Sequence, residues 1–541
     1  MYYLLLFLFF SLSSYIYSQS PEHHLCGHQI EHPTKDEADM APCASPGIKT
    51  KWMTNYHKNP LLHKQKDNLS STTYLPISLH IVGNDDSTGY AYLSSVLNAF
   101  CRVNQEYKST GIQFFIEFPI HYIQNSAFNS HDSVIIGGGF MLQYNVPNTT
   151  NCYIVTNPSG ACGYNVLYGG LTVSKNCLSA NTFSHELGHA LGLQHTFFGW
   201  EGGQSYNGNS QQTFTNPAPN HVLYDYTVYK DTMWPADTII VDTTEVEYVA
   251  RTGPNSNCHV AADGFCDTPS DYLAFRWNCN SSNQSNVQQI DPDTVSFYSE
   301  GINIMSYSTC RTQFSTEQGQ YMNAFVQANR QDHLYNQNPI VDSISIANLT
   351  MLEPIANTVL NSTTGVTFRW NAVPGATHYS LKVCEFSCGS SNSLVEEVLL
   401  TDTFYVSPLN YPPRLSFFPY RWQVMPFNQS YSCAGQSPTQ NFNTQNPTLL
   451  TTINPISNII CYPNPIEKNQ NLIIEAYSIK QIFATVNLST ITGKRINNLS
   501  WELNKGNNQF EISTEYLSHG IYILNIEAEN NRIYKKIIIN K

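Results

Sequence analysis

Charged side chains are scarce in this chain of 541 residues: Asp, Glu, Lys and Arg make up 12%, with 27 Lys and Arg against 40 Asp and Glu. A formal net charge of −13 leaves no basic surface to neutralise phosphates, which excludes a nucleic-acid-binding role. A dependable membrane span is missing too, because the early apolar run MYYLLLFLFFSLSSYIYS is too short. No Lys or Arg precedes that run, which departs from the usual export signal. Close C-x-x-C pairs are absent among Cys258, Cys266, Cys279 and Cys310, which argues against a second zinc site made from those thiols.

What is present suits an acidic, exported protein of several modules. The length exceeds one core and predicts about three or four domains. Residues 1–18 read as a signal peptide cut near Ser18, with a retained amino-terminal anchor as the other reading. Residues 19–71 are polar, rich in His, Lys and Pro and without periodicity, which predicts a propeptide removable at Lys58, Lys64 or Lys66. Fourteen cysteines in an exported chain predict disulfides.

The stretch from Phe183 to Phe197, FSHELGHALGLQHTF, carries H-E-x-x-H-x-x-G-x-x-H. On a helix His185 and His189 are four residues apart and project from one face, so both imidazoles can grip one metal ion. Gly192 lacks a Cβ and lets the chain turn out of the helix, bringing His195 to the same metal. Three neutral imidazoles leave a fourth position open for water, as a catalytic zinc requires, and Glu186 is placed to act as its general base. The plainer reading, polar histidines on an amphipathic helix with Leu187, Ala190, Leu191 and Leu193 buried, does not account for the glycine and the third histidine.

The extended motif resembles the metzincin clan of zinc endopeptidases, whose second signature is a methionine turn beneath the metal. NIMSY at Asn303 to Tyr307 supplies Met305 as that methionine, and Tyr307 resembles the tyrosine that steadies the tetrahedral intermediate in several metzincins. Within the clan the chain is most similar to the pappalysin family and its bacterial cytophagalysin-like members. The residues carrying this are HTF after the third histidine, GFCDTP at Gly264 to Pro269, and NIMSYSTC.

That resemblance implies disulfides Cys258–Cys279 and Cys266–Cys310, and a structural calcium site at Asp263 and Asp267, for which solvated turn aspartates are the alternative. Cys26 before Gly27 resembles the cysteine switch of metzincin precursors; a disulfide with Cys43 is the equal alternative. By analogy, Gly169 to Val173 forms the edge strand along which an extended peptide adds. Relatives that favour Arg or Lys after the scissile bond carry acidic residues behind the Met-turn. Here Ser308, Thr309, Cys310 and Arg311 stand there, so that preference is expected to be weak or absent.

From Tyr74, YLPISLHIV alternates like a strand, Leu93, Val96, Leu97, Phe100 and Val103 recur at helical spacing, and IQFFIEF follows as a strand. This opening predicts an α/β (α+β) metzincin catalytic domain over 72–345, with a twisted mixed sheet and an active-site helix. Residues of about 200–243, rich in Gly, Asn, Tyr and Thr, read as an insertion walling the cleft. Ser315 and Gln318 have capping-box spacing before a last helix.

Two all-β sandwich domains are expected to follow. VTFRWNAVPGATHYSLKV and YRWQVMP make 349–445 resemble a fibronectin type III domain, with Trp370, Tyr379 and Trp422 as core and one thiol of Cys384, Cys388 and Cys433 left over unless Cys461 joins it. In 458–541, YPNP, ITGK, LSHGIYILNI and KKIIIN resemble the carboxy-terminal sorting domain of the type IX secretion system. That resemblance implies the secretion machinery as partner, a secreted or outer-surface location in a Bacteroidetes-type bacterium, and attachment to surface lipopolysaccharide.

The function expected from these features is a secreted zinc metalloendopeptidase, made as a zymogen, acting on extended peptides. A cell-surface adhesion protein with an idle zinc domain is the alternative, and a zinc hydrolase of non-peptide substrates a weaker third.

Overall fold

The computed structural model describes residues 51–59, 72–166, 169–200, 217–225, 241–389, 393–415, 418–445, 455–491, 494–529 and 531–541. The expected signal peptide, Cys26, Cys43 and most of the expected propeptide lie outside them. Among these residues the chain is multidomain and mostly β-sheet, and forms two units, one reaching residue 444 and one made essentially of 445–541.

The first unit is organised on a mixed sheet. Strand β1 (Thr73–Gly83) is central; on one side β2 (Ile112–Ile116) pairs with its first half and β3 (His121–Gln124) with its last residues, and β4 (Thr150–Val155), β6 (Gly170–Ser174) and β5 (Gly163–Val166) follow in that order on the other. All pairings are parallel except β5 with β6. Nine successive residues of β1 are buried, as a parallel strand covered on both faces requires. Helix α2 (Leu93–Glu106) buries Leu93, Val96, Leu97, Phe100 and Val103, the predicted face. The sheet and its helices share one core with Leu187, Met305 and Phe325.

The edge strand differs from the expectation. At Gly169 the amide donates to the Val166 carbonyl at 2.6 Å, and Gly170 takes φ +124°, so 163–166 folds back beside 170–174. Gly170–Ser174 is therefore internal, and Gly163–Val166 is the edge.

Helix α1 (Lys51–Lys58) lies within the segment expected to be an unfolded propeptide, yet it packs on the core. Its Trp52 and Tyr56 meet Tyr321 of helix α4 (Thr316–Asn329), and His57 stacks on that ring. The low periodicity of 19–71 taken as a whole concealed one short aromatic helix. Helix α4 starts with the predicted capping box, Ser315 and Gln318 satisfying each other's exposed amides.

Residues 351–444 form a three-stranded and a five-stranded sheet enclosing Trp370, Tyr379 and Trp422, all at most 3% exposed, so these rings are core. The leftover thiol finds a partner in the other half of the unit. Cys384 pairs with Cys388, and Cys433 pairs with Cys101 on α2, across 332 residues of sequence; Cys461 stays free. Beside that bridge Ser432 donates to the Leu97 carbonyl, and Phe118 stacks on His378 at 3.9 Å. The first turn of α2 has no side-chain cap of its own. Instead the Glu397 carboxylate of the sandwich accepts from the amides of Leu93 at 2.6 Å and Ser94 at 2.9 Å.

The second unit is a further pair of sheets, three-stranded and five-stranded, with alternating inward residues such as Leu472, Ile474, Leu488 and Leu524 fully buried between them.

Removing the cap should be felt by the sheet domain. Glu397→Ala is expected to lower the stability of this unit by about 1–2 kcal/mol in urea unfolding. An unchanged midpoint would mean that the α2 amides find other acceptors.

Candidate metal centre

Helix α3 (Thr182–Ala190) carries the first two histidines and is buried along its whole length. It is held from α2: Tyr107 Oη donates to the Ser184 carbonyl at 2.9 Å, and Ser184 Oγ and Asn181 donate to the Glu106 carboxylate. Arg102 steadies the preceding turn through the Leu178 and Ala180 carbonyls.

The helix ends as the sequence predicts. Gly192 adopts φ +87°, a Cβ there would meet Phe325 at 2.9 Å, and the next residues carry His195 back. The Nε2 atoms of His185, His189 and His195 then lie 3.1–3.2 Å from one another. Those separations match the edges of a tetrahedron of nitrogens about 2.0–2.1 Å from a zinc ion, roughly 3.3 Å. His185 Nδ1 donates to the Ile304 carbonyl and His189 Nδ1 to the Leu193 carbonyl, both at 2.8 Å. Those bonds fix the tautomer and leave the Nε2 lone pairs facing one point.

Burial lowers the basicity of all three rings, well below the usual histidine range for His185 and His189 and down to about 3 for His195, so they stay neutral. Glu186 is 0% exposed, both carboxylate oxygens lack a hydrogen-bond partner, and burial raises its pKa well above the usual carboxylate range. Three convergent lone pairs beside an unsatisfied buried carboxylate form a donor set that fits a divalent cation with a water.

Below the histidines runs the turn at Asn303 to Tyr307. Met305 is fully buried, and its Sδ lies 2.5 Å from where a Cβ on Gly188 would stand, so that glycine makes room for the thioether. Ile304, next to Met305, is the residue whose carbonyl orients His185. The Tyr307 ring sits 5.0 Å from the His195 ring and 5.9 Å from the His185 ring. Arg311 is buried beside them, with Nη1 donating to the Ser306 carbonyl at 3.2 Å; burial lowers its pKa to about 10, still charged at neutral pH.

One other expectation is corrected. The disulfides pair Cys258 with Cys266 and Cys279 with Cys310. The backbone bridge between Trp277 and Ser308 sets Cys279 opposite Cys310, two residues further on in each segment. The expected calcium ligands, Asp263 and Asp267, make separate contacts. Asp263 is buried and accepts from the Phe265 amide and Thr268 Oγ1, while exposed Asp267 accepts from the Glu317 amide at the start of α4. Of the insertion, the described parts are 217–225 and 241–243, where β7 (His221–Asp225) pairs with β8 (Val241–Glu245); Ala218 and Val222 share a core with Phe197 and Tyr307.

Sequence reasoning missed Glu106 and Gly188, and read Arg311 only as a residue behind the turn, not as one buried beside the histidines. Only Gly188 left a signal, as a glycine inside a helix.

Residues 460–540 match the secretion system C-terminal sorting domain family. That domain engages the type IX secretion machinery and marks export to the cell surface or extracellular space in Bacteroidetes. No curated protein matches the chain. Among solved structures, the fibronectin(III)-like modules of CbhA from Clostridium thermocellum are 10% identical, over 36% of this chain and 94% of that one, with a TM-score of 0.13. Dimeric latent PorU from Porphyromonas gingivalis is 11% identical, over 35% and 20%, with a TM-score of 0.14. Scores this low carry no weight for the fold.

Gly188→Ala sets a helix-propensity gain of about 1 kcal/mol against displacement of Met305. The variant is expected to be less stable by about 1 kcal/mol and to hold zinc more weakly, read by thermal unfolding and chelator competition. A more stable variant with unchanged zinc affinity would contradict the packing argument.

Proposed function

We propose that this chain is a secreted zinc-dependent metalloendopeptidase of the metzincin clan, resembling the pappalysins, with His185, His189 and His195 as ligands. The observation that carries the reading is the convergence of three neutral Nε2 atoms beside the buried, unpartnered Glu186. Zinc in this site supplies Lewis acidity, polarising a peptide carbonyl and lowering the pKa of water.

The residues of the chain then divide the work. Glu186 takes a proton from the attacking water and later delivers it to the leaving amine. The Tyr307 hydroxyl donates to the oxyanion that forms at the carbonyl. An extended substrate adds along the edge strand β5, whose Gly163 lies against the active-site helix: a Cβ there would meet Glu186 Cγ at 3.0 Å. Arg311, in place of an acidic residue behind the turn, favours no basic side chain at the position after the scissile bond. The sandwich over 351–444 is the fibronectin-like module, and the sorting domain attaches the enzyme to surface lipopolysaccharide. A structural calcium at Asp263 and Asp267 stays part of this reading, as the family resemblance implies.

Glu186→Ala is expected to bind zinc and fold as the natural protein does, while casein hydrolysis falls by at least about 100-fold; comparable turnover would refute the mechanism. A natural protein that binds zinc and cleaves no peptide would favour the surface-adhesion reading. A peptide-library profile should show no dominance of Arg or Lys after the cleaved bond.

A further inference from the structure

Behind the third histidine lies a carboxylate that the proposed chemistry does not use. Asp271 is 2% exposed and forms no ion pair among the described residues. The residues that follow it, Tyr272 and Leu273, belong to an apolar cluster with Phe197, Trp277 and Tyr307. Its oxygens are nevertheless saturated. Oδ1 accepts from Ser299 Oγ at 2.6 Å and from the Leu273 amide at 3.0 Å; Oδ2 accepts from Thr196 Oγ1 at 2.8 Å and, more weakly, from Ser306 Oγ at 3.4 Å.

The two donors on Oδ2 come from different segments of the metal centre. Thr196 directly follows His195, and Ser306 directly follows Met305. The Thr196 amide also donates to the Met305 carbonyl at 3.3 Å. One carboxylate oxygen thus joins the arm that presents the third ligand to the turn that orients the first. A buried carboxylate without a cation costs stability, and apolar residues of similar volume would serve a merely structural role better. Its four acceptor positions suit four donors, which an amide could not satisfy in the same arrangement.

We propose that Asp271 is a positioning residue for the metal centre, locking His195 in register with the Met305 turn through Thr196 and Ser306. The proposal rests on the zinc reading above. Positioning partners of this kind are worth about 10–100-fold in metal affinity.

The test is zinc affinity, measured on the full chain by competition with a chromophoric chelator, with the unfolding midpoint of each metal-free variant in parallel. Asp271→Asn and Thr196→Val are both expected to weaken zinc binding by about 10–100-fold. Ser299→Ala removes a donor from the other oxygen of the same carboxylate, on the hairpin strand β9 (Ser296–Glu300) that carries no ligand. It should lower the midpoint yet keep zinc affinity within about twofold, a split that a purely structural role does not give. Wild-type affinity in Thr196→Val, or equal losses in Thr196→Val and Ser299→Ala, would overturn the proposal. Should Asp271→Asn not fold, that pair still decides. If the natural protein binds no zinc, the zinc reading fails first and this proposal with it, a result distinct from the others.

Discussion

The metal centre depends on two backbone carbonyls. Ile304 and Leu193 each accept the Nδ1 hydrogen of a histidine, and by doing so they decide where the opposite nitrogen points. Without these bonds the imidazoles could rotate or change tautomer, and three lone pairs would not face a common point. With them, the rings lie neutral and buried around a position that suits a cation. The same bond from His185 explains why a turn far along the chain belongs to the site, since the residue beside Met305 holds the first ligand. Met305 in turn fills the space that Gly188 leaves on the helix.

Around that centre the protein supplies stiffness at one remove. The carboxy-terminal end of α2 grips the start of the active-site helix through Glu106 and Tyr107. The start of α2 is capped by Glu397 of the β-sandwich, and Cys101, past the middle of the helix, is cross-linked to Cys433 of that sandwich. The sandwich is thus continuous with the frame of the site, and its Met425 and Phe427 belong to the same core as the sheet and Leu187. A module that looks separable in sequence serves here as one side of the scaffold.

What could be read from the sequence was local. The convergence of His185, His189 and His195, the turn at Gly192, the buried face of α2 and the capping box at Ser315 are fixed by spacings of a few residues, and spacing sets direction on a helix. The sorting domain was legible for a similar reason, as an ordered set of short strands and turns. What failed needed the path of the chain through space. The disulfide partners follow from a bridge between Trp277 and Ser308, and the edge strand from a reversal at Gly169 and Gly170. The partner of Cys433 lies 332 residues away. The helix at Lys51–Lys58 was hidden because Trp52, Met53 and Tyr56, though at helical spacing, span only eight residues inside a polar stretch.

The claim on which the account rests is that His185, His189 and His195 hold one zinc ion. X-ray absorption at the zinc edge on the purified full chain, with metal content measured on the same sample, addresses it directly. The account predicts about one zinc per chain with three imidazole nitrogens at roughly 2.0–2.1 Å and one oxygen ligand. A protein purified without zinc that does not take it up, or a zinc shell dominated by sulfur, would contradict it.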